Sequence, residues 1–170
     1  MDLNVTDRTT SPPPHIRPGI LVVQATALHK SGLHVGIDTL RVYPMGVLVD
    51  ITVRTAARPR DEWRSITAQL RADPGMGLTA WARHLPPDDV PAADLGVFPM
   101  AIFGDTEAWR LGYWICPLAP SGELVIGLSW PERNLTWSHQ VDADRLRAAA
   151  EQSVVLWDAA DPSPRPGHPL

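Results

Sequence analysis

The chain reads as a mainly β protein, a two-layer antiparallel β-sandwich of about seven strands with one or two covering helices. Three observations carry that reading. Val47, Val49, Ile51 and Val53 recur at period two, the mark of a strand with one face buried. In the second half, Val97–Phe103, Glu107–Cys116, Glu123–Trp130 and Asn134–Val141 follow one another with only turn-like pieces between them. Strand–helix–strand alternation does not recur, which disfavours a parallel α/β sheet and leaves a partly open barrel as the second choice.

The elements follow in chain order. Ile20–Leu28 is a near-continuous apolar run, consistent with a strand buried on both faces. Lys30-Ser31-Gly32 supplies a turn. Leu33, Val35 and Ile37 then alternate, but Leu40 and Val42 fall on the opposite parity. A slip of one residue flips every later side chain, so a bulge or bend is expected near Asp38-Thr39. Pro44-Met45-Gly46 turns the chain into Val47–Val53, completing a three-stranded meander. Arg60–Ala72 changes rhythm: Trp63, Ile66 and Leu70 take helical spacing, and Asp61 and Glu62 suit a helix N-terminus. Leu78, Trp81 and Leu85 extend that spacing by a turn or two before Pro86-Pro87, and Asp88–Gly96 reads as a loop.

A second, four-stranded meander is expected next. Trp109, Leu111, Tyr113 and Ile115 share one face, with Arg110, Trp114 and Cys116 on the other. Leu135, Trp137, His139 and Val141 alternate with Asn134, Thr136, Ser138 and Gln140 in the cleanest amphipathic strand of the chain. Asp142 sits where an N-cap belongs, and Ala143–Trp157 reads as the C-terminal helix, with Leu146, Ala150, Ser153, Val154 and Trp157 on one face. Arg147 and Glu151 are spaced to pair at i, i+4 outside it. Prolines crowd both ends, so 1–18 and 159–170 read as flexible Pro-rich tails around one domain, 19–158.

Composition bounds the function classes. Nineteen acidic against 15 basic residues leave a formal charge of −4, with no basic run to grip nucleic acid or an anionic membrane. Cys116 is the only cysteine, so neither an internal disulfide nor a thiolate metal cluster can form. No apolar run has bilayer length, Met1–Arg8 does not resemble a secretory signal, and a cytoplasmic location is expected.

The strings Leu40–Val47 (Leu-Arg-Val-Tyr-Pro-Met-Gly-Val), Trp114-Ile115-Cys116-Pro117-Leu118, Leu128-Ser129-Trp130-Pro131-Glu132 and Leu156-Trp157 together resemble a widespread set of actinobacterial proteins. Those share a Tyr-Pro, Trp-x-x-Pro-Leu-Pro, Glu-Trp-Pro, Leu-Trp order. The likeness covers roughly residues 19–158, with Ala119 where a proline is usual, Ser129 where a glutamate is usual, and a shorter middle loop. It implies a single domain and carries no activity.

Candidate chemistry is sparse. Gly127-Leu128-Ser129-Trp130-Pro131 lacks the second glycine and the strand-to-helix turn of a nucleophile elbow. His29 and His34 flank a turn and offer two imidazoles with Asp38 nearby in sequence, which is short of a closed metal site. His139 lies on an apolar strand face, where a hydrogen-bonded core role is the ordinary one. Asp88, Asp89 and Asp94 share a Pro-bounded loop that fixes no separation between carboxylates. No catalytic residue, metal ligand or cofactor is therefore assigned.

The seven tryptophans are the compositional excess. Trp63, Trp109, Trp137 and Trp157 fall on apolar stripes and read as core. Trp81, Trp114 and Trp130 lie near loops or strand ends and would form a binding patch if they met, with Glu132 and Arg110 as polar neighbours. The expectation is a non-enzymatic protein-interaction or assembly module, pairing with a protein partner or with itself. A binder of sugars or aromatic metabolites through the same residues is the first alternative. An enzyme with a site assembled from distant loops is the second.

Overall fold

Inward-pointing β-branched and aliphatic side chains from two sheets meet in one core, and that meeting sets the architecture. The computed structural model of the protein describes residues 10–30, 32–55, 77–104 and 108–157. The helix expected over Arg60–Ala72 and the C-terminal tail 159–170 lie outside them.

Among the described residues, ten strands and one α-helix follow in order: β1 (Ile16–Arg17), β2 (Gly19–Lys30), β3 (Leu33–Tyr43), β4 (Gly46–Thr55), β5 (Thr79–Leu85), β6 (Gly96–Gly104), β7 (Ala108–Cys116), β8 (Glu123–Trp130), β9 (Leu135–Asp142), α1 (Ala143–Ala150) and β10 (Val154–Val155). All pairings are antiparallel. One sheet runs β2-β3-β4-β7-β6, the facing one β5-β8-β9, and β1 and β10 form a separate two-stranded ribbon.

The first meander forms as expected, but β2 is an edge strand open on one face, with Ile20 and Val22 exposed, where burial on both faces had been expected. Its phase slip is a bulge, with pairing to β4 interrupted between Ile37 and Leu40, so that Val35 and Ile37 before it and Leu40 and Val42 after it all reach the core. A second irregularity in β2, between Val22 and Ala25, places Gln24 at φ 53.

The second meander does not form. β7 pairs with β4, bringing Ile115, Tyr113, Leu111 and Trp109 level with Val47, Val49, Ile51 and Val53, while β8 and β9 enter the other layer. The expected grouping of three and four strands is thus five and three. Pro117–Gly122 is too long for a tight hairpin and lets the chain cross the roughly 10 Å between layers.

β5 is a further correction, because helical spacing was expected around Leu78, Trp81 and Leu85. The true period is two: Leu78, Ala80, Ala82 and His84 turn inward, and Thr79, Trp81 and Arg83 turn out. Alanine is too small to announce an inward face, and the one large side chain points to water.

Layers close at their edges as well as over their faces. β2 lies against β9 and β5 against β6, while α1 packs against β2, β3 and β9. Ala143, Leu146, Ala149 and Ala150 join the core, each buried aliphatic side chain of leucine size contributing about 1.5–3 kcal/mol. Gly19 allows the closest approach, since a Cβ there would stand 1.7 Å from the Ala149 carbonyl oxygen.

Asp142 caps α1 as expected, its carboxylate accepting from the Asp144 N–H at 2.6 Å. Arg147 pairs with Asp144 one turn back instead of with Glu151, which is the C-cap residue. The helix stops at Ala150, seven residues short of Trp157. Ser153 and the β-branched Val154 and Val155 favour extended backbone, and the two valines pair with Ile16 and Arg17. Residues Ile16–Arg17 are accordingly a strand, where tail had been expected.

Candidate functional site

The three candidate tryptophans occupy three different environments. Trp130 is 2% exposed and points into the sandwich core near its strand end, with the Arg133 guanidinium 5.7 Å from its ring. Trp114 is 0% exposed, yet it lies on the outer face of the five-stranded sheet. It belongs to a small second cluster with Tyr43, Leu48 and Cys116, against which Ile16, Met45 and Phe98 pack. The Tyr43 ring meets Trp114 edge-on at 5.4 Å and 80°, and Gly46 gives the indole room. The aromatic patch that these residues would have formed together is absent among the described residues.

Trp81 alone remains open, 37% exposed on the outer face of β5-β8-β9. It is paired with Gly127, and an ideal Cβ on that glycine would stand 1.9 Å from the indole, so the ring lies flat over bare backbone. The neighbouring rows carry Thr79, Ser129 and Thr136 on one side and Arg83, Val125 and Gln140 on the other, with Ser138 across the sheet.

Arg110 is elsewhere, exposed on the outer face of the larger sheet opposite Thr52 and Phe103. Glu132 follows Trp130 in a single 3-10 turn, Pro131–Arg133, and its carboxylate rests against Gly77. Neither joins Trp81 in a shared pocket wall.

Charged and polar groups on the larger sheet's outer face serve the strands. Arg41 grips Asp50 with two hydrogen bonds of 2.9 and 2.8 Å. With the two side chains 41% and 21% exposed, that pair is worth about 0–1 kcal/mol. Asp38 accepts from Arg54 at 3.0 Å and from Thr52 Oγ1 at 3.3 Å. His29 and His34 do face each other across the β2–β3 hairpin, ring centroids 5.8 Å apart, but Asp38 is spent on its own partners. No three His, Cys, Asp or Glu side chains gather for a metal among the described residues. His139 stacks on Trp137, centroids 5.9 Å apart and rings 6° from parallel.

Two phenols are held protonated. Tyr113 donates to the Leu78 carbonyl at 3.2 Å, and burial raises its pKa above the usual value of 10.0. Burial raises that of Tyr43 also, opposed by Arg41 and reinforced by Asp50. The Tyr113 bond fastens β7 to the residue that leads into β5.

His84 is the polar residue that sequence reasoning missed. It is 2% exposed at the inner end of β5. Its Nδ1 accepts from the Ala93 N–H at 2.8 Å, which leaves Nε2 as the donor to the Ser121 carbonyl at 2.7 Å. One imidazole thus pins the loop after β5 and the loop before β8. The signal was present: small residues at 80 and 82, then histidine at 84, then Pro86-Pro87.

Among the described residues, the longest exposed apolar run starts on the ribbon and continues past it. Val154, Val155, Leu156 and Trp157 are 41%, 66%, 50% and 55% exposed in succession. The Leu156 N–H bonds to the His15 carbonyl at 2.8 Å, and Ile16 stands opposite Val155. In an antiparallel ladder alternate residues turn their amides to the partner, so Val154 and Leu156 face β1 and the Val155 N–H and C=O face away. They have no backbone partner among the described residues.

His84→Phe should destabilise by roughly 1–3 kcal/mol, because two part-buried backbone groups lose their partner. Urea unfolding with hydrogen exchange at Ala93 checks this. An unchanged midpoint with Ala93 still protected would show that the imidazole does not hold the loops. No described helix is long and apolar enough to cross a membrane. Compared with known protein families and with curated proteins, the chain matches none.

Proposed function

We propose that the chain is a non-enzymatic protein-interaction module that accepts an extended segment along the free edge of β10. The observation that supports it most is the coincidence of outward Val155 backbone groups with four consecutive exposed apolar side chains. Main-chain hydrogen bonds to an added strand supply affinity, and the flanking side chains supply selectivity. Covering Val155, Leu156 and Trp157, each at least half exposed, is worth on the order of 1 kcal/mol apiece. An apolar edge of this kind is a liability that proteins normally blunt with charge or cover. A cytoplasmic setting is part of the same reading, since the one cysteine is a buried free thiol and the fold asks nothing of an oxidising compartment.

Val155→Pro isolates the edge. Proline deletes an N–H that points away from β1 and is tolerated on an edge strand. Selection from a displayed library of short peptides should yield extended sequences that bind the native chain and lose at least tenfold in affinity against Val155→Pro. Failure to enrich any peptide, or equal binding by the variant, would contradict the proposal.

The flat indole of Trp81 favours a second reading, a binder of neutral oligosaccharides. Pyranose C–H bonds pack on the electron-rich ring face, and the hydroxyls of Thr79, Ser129 and Thr136 on one side with Arg83 and Gln140 on the other suit sugar hydroxyls. Titration with glucans and galactans should quench tryptophan fluorescence in the native chain and not in Trp81→Ala. Absence of any saturable change across the set would remove this reading.

A further inference from the structure

We infer that His29 and His34 form a two-imidazole site for a late first-row divalent ion, zinc or copper, near the tip of the β2–β3 hairpin. The inference is independent of strand addition at β10. Lys30 pairs with Leu33, so the loop that joins the strands is two residues long. Such a loop closes on a hydrogen-bonded pair, and alternation makes the next pair, His29 with His34, a non-hydrogen-bonded one. Pairs of that kind hold their Cα atoms about 4.5 Å apart and bring their side chains closest.

The two rings accordingly meet, with centroids 5.8 Å apart and planes at 67°. Nitrogens about 2.0–2.1 Å from a shared ion would set the centroids roughly 4.5–5 Å apart, so chelation takes about 1 Å of ring movement. Gly36 gives the His34 ring its room, since a Cβ there would stand 3.1 Å from Nε2.

Both imidazoles are available. His84 has each nitrogen bonded to a backbone group, and His139 is stacked on Trp137. Among the described residues no hydrogen bond engages His29 or His34, and His29 is exposed. Arg54, opposite His34 on β4, is paired with Asp38 at 3.0 Å, which offsets its charge. Neutral imidazole suits zinc, copper and nickel, whereas calcium and magnesium favour oxygen donors. Two protein ligands leave further positions for water, so the ion should exchange with solvent.

Calorimetric titration of the full chain with zinc chloride tests this, together with NMR of the histidine ring protons under substoichiometric copper. One zinc ion should bind per chain. Copper should broaden the His29 and His34 signals ahead of those of His15, His84, His139 and His168. His29→Gln and His34→Gln should each weaken zinc binding at least tenfold, because the second imidazole otherwise acts at high local concentration. His139→Gln should bind as the native chain does. Absence of saturable zinc binding overturns the inference, as does copper broadening that spreads evenly over all six histidines. A smaller loss in either variant places the ion on a single ring and overturns it too. The copper result is read on the native chain, so it decides even where a variant unfolds.

Discussion

The pairing of β4 with β7 is the contact on which the rest of the structure depends. It joins the early meander to the later hairpin through eight consecutive pairs, from Val47 with Ile115 to Arg54 with Ala108. On the inner side it aligns Val47, Val49, Ile51 and Val53 with Ile115, Tyr113, Leu111 and Trp109, a continuous apolar surface against which β5, β8 and β9 can close. On the outer side the same register brings Leu48 beside Trp114 and Thr52 beside Arg110. The first pair seeds a small apolar cluster, and the second lies in a polar zone. One pairing therefore fixes both faces of the larger sheet.

The outer apolar cluster explains why the N-terminal segment is structural. An indole on a sheet's outer face would ordinarily be wet, but Tyr43, Phe98, Met45 and Ile16 enclose Trp114. Ile16 arrives as part of β1, and β1 brings β10 with it. The helix end, the N-terminal strand and the buried Trp114 are thus linked, and the exposed edge at Val155 is a consequence of that arrangement. Polar groups elsewhere are spent on holding strands and loops: His84 on two loops, Asp50 on Arg41, Tyr113 on the Leu78 carbonyl. Among the described residues, those contacts leave the Val155 backbone at an edge and the exposed side chains of Val154, Val155, Leu156 and Trp157 uncovered.

Much of the fold was legible because alternation is a strong signal where one face is buried. The parity change between Ile37 and Leu40 announced the β3 bulge, and Asp142 announced the start of α1. Where both faces are covered the signal fails. β7 carries apolar residues on both sides, so its sequence marks a strand without marking its neighbour, and its place beside β4 was missed. β5 was missed because Ala80, Ala82 and His84 fill its inward face. The end of α1 was missed because Leu146, Ala150, Val154 and Trp157 keep helical spacing across a stretch whose valines prefer extended backbone. The candidate site was the least legible part. Strand-end tryptophans cannot be sorted into core and surface without knowing what packs over them, and an unpaired edge is a property of topology.

The most direct measurement is a set of nuclear Overhauser contacts across β7 in the isotopically labelled chain. The account predicts backbone contacts that link Ala108–Cys116 to Gly46–Thr55 on one side and to Gly96–Gly104 on the other, in the registers given above. Contacts linking Ala108–Cys116 to Glu123–Trp130 instead would restore a continuous four-stranded meander. They would also remove the shared surface on which the core, the Trp114 cluster and the free edge at Val155 all rest.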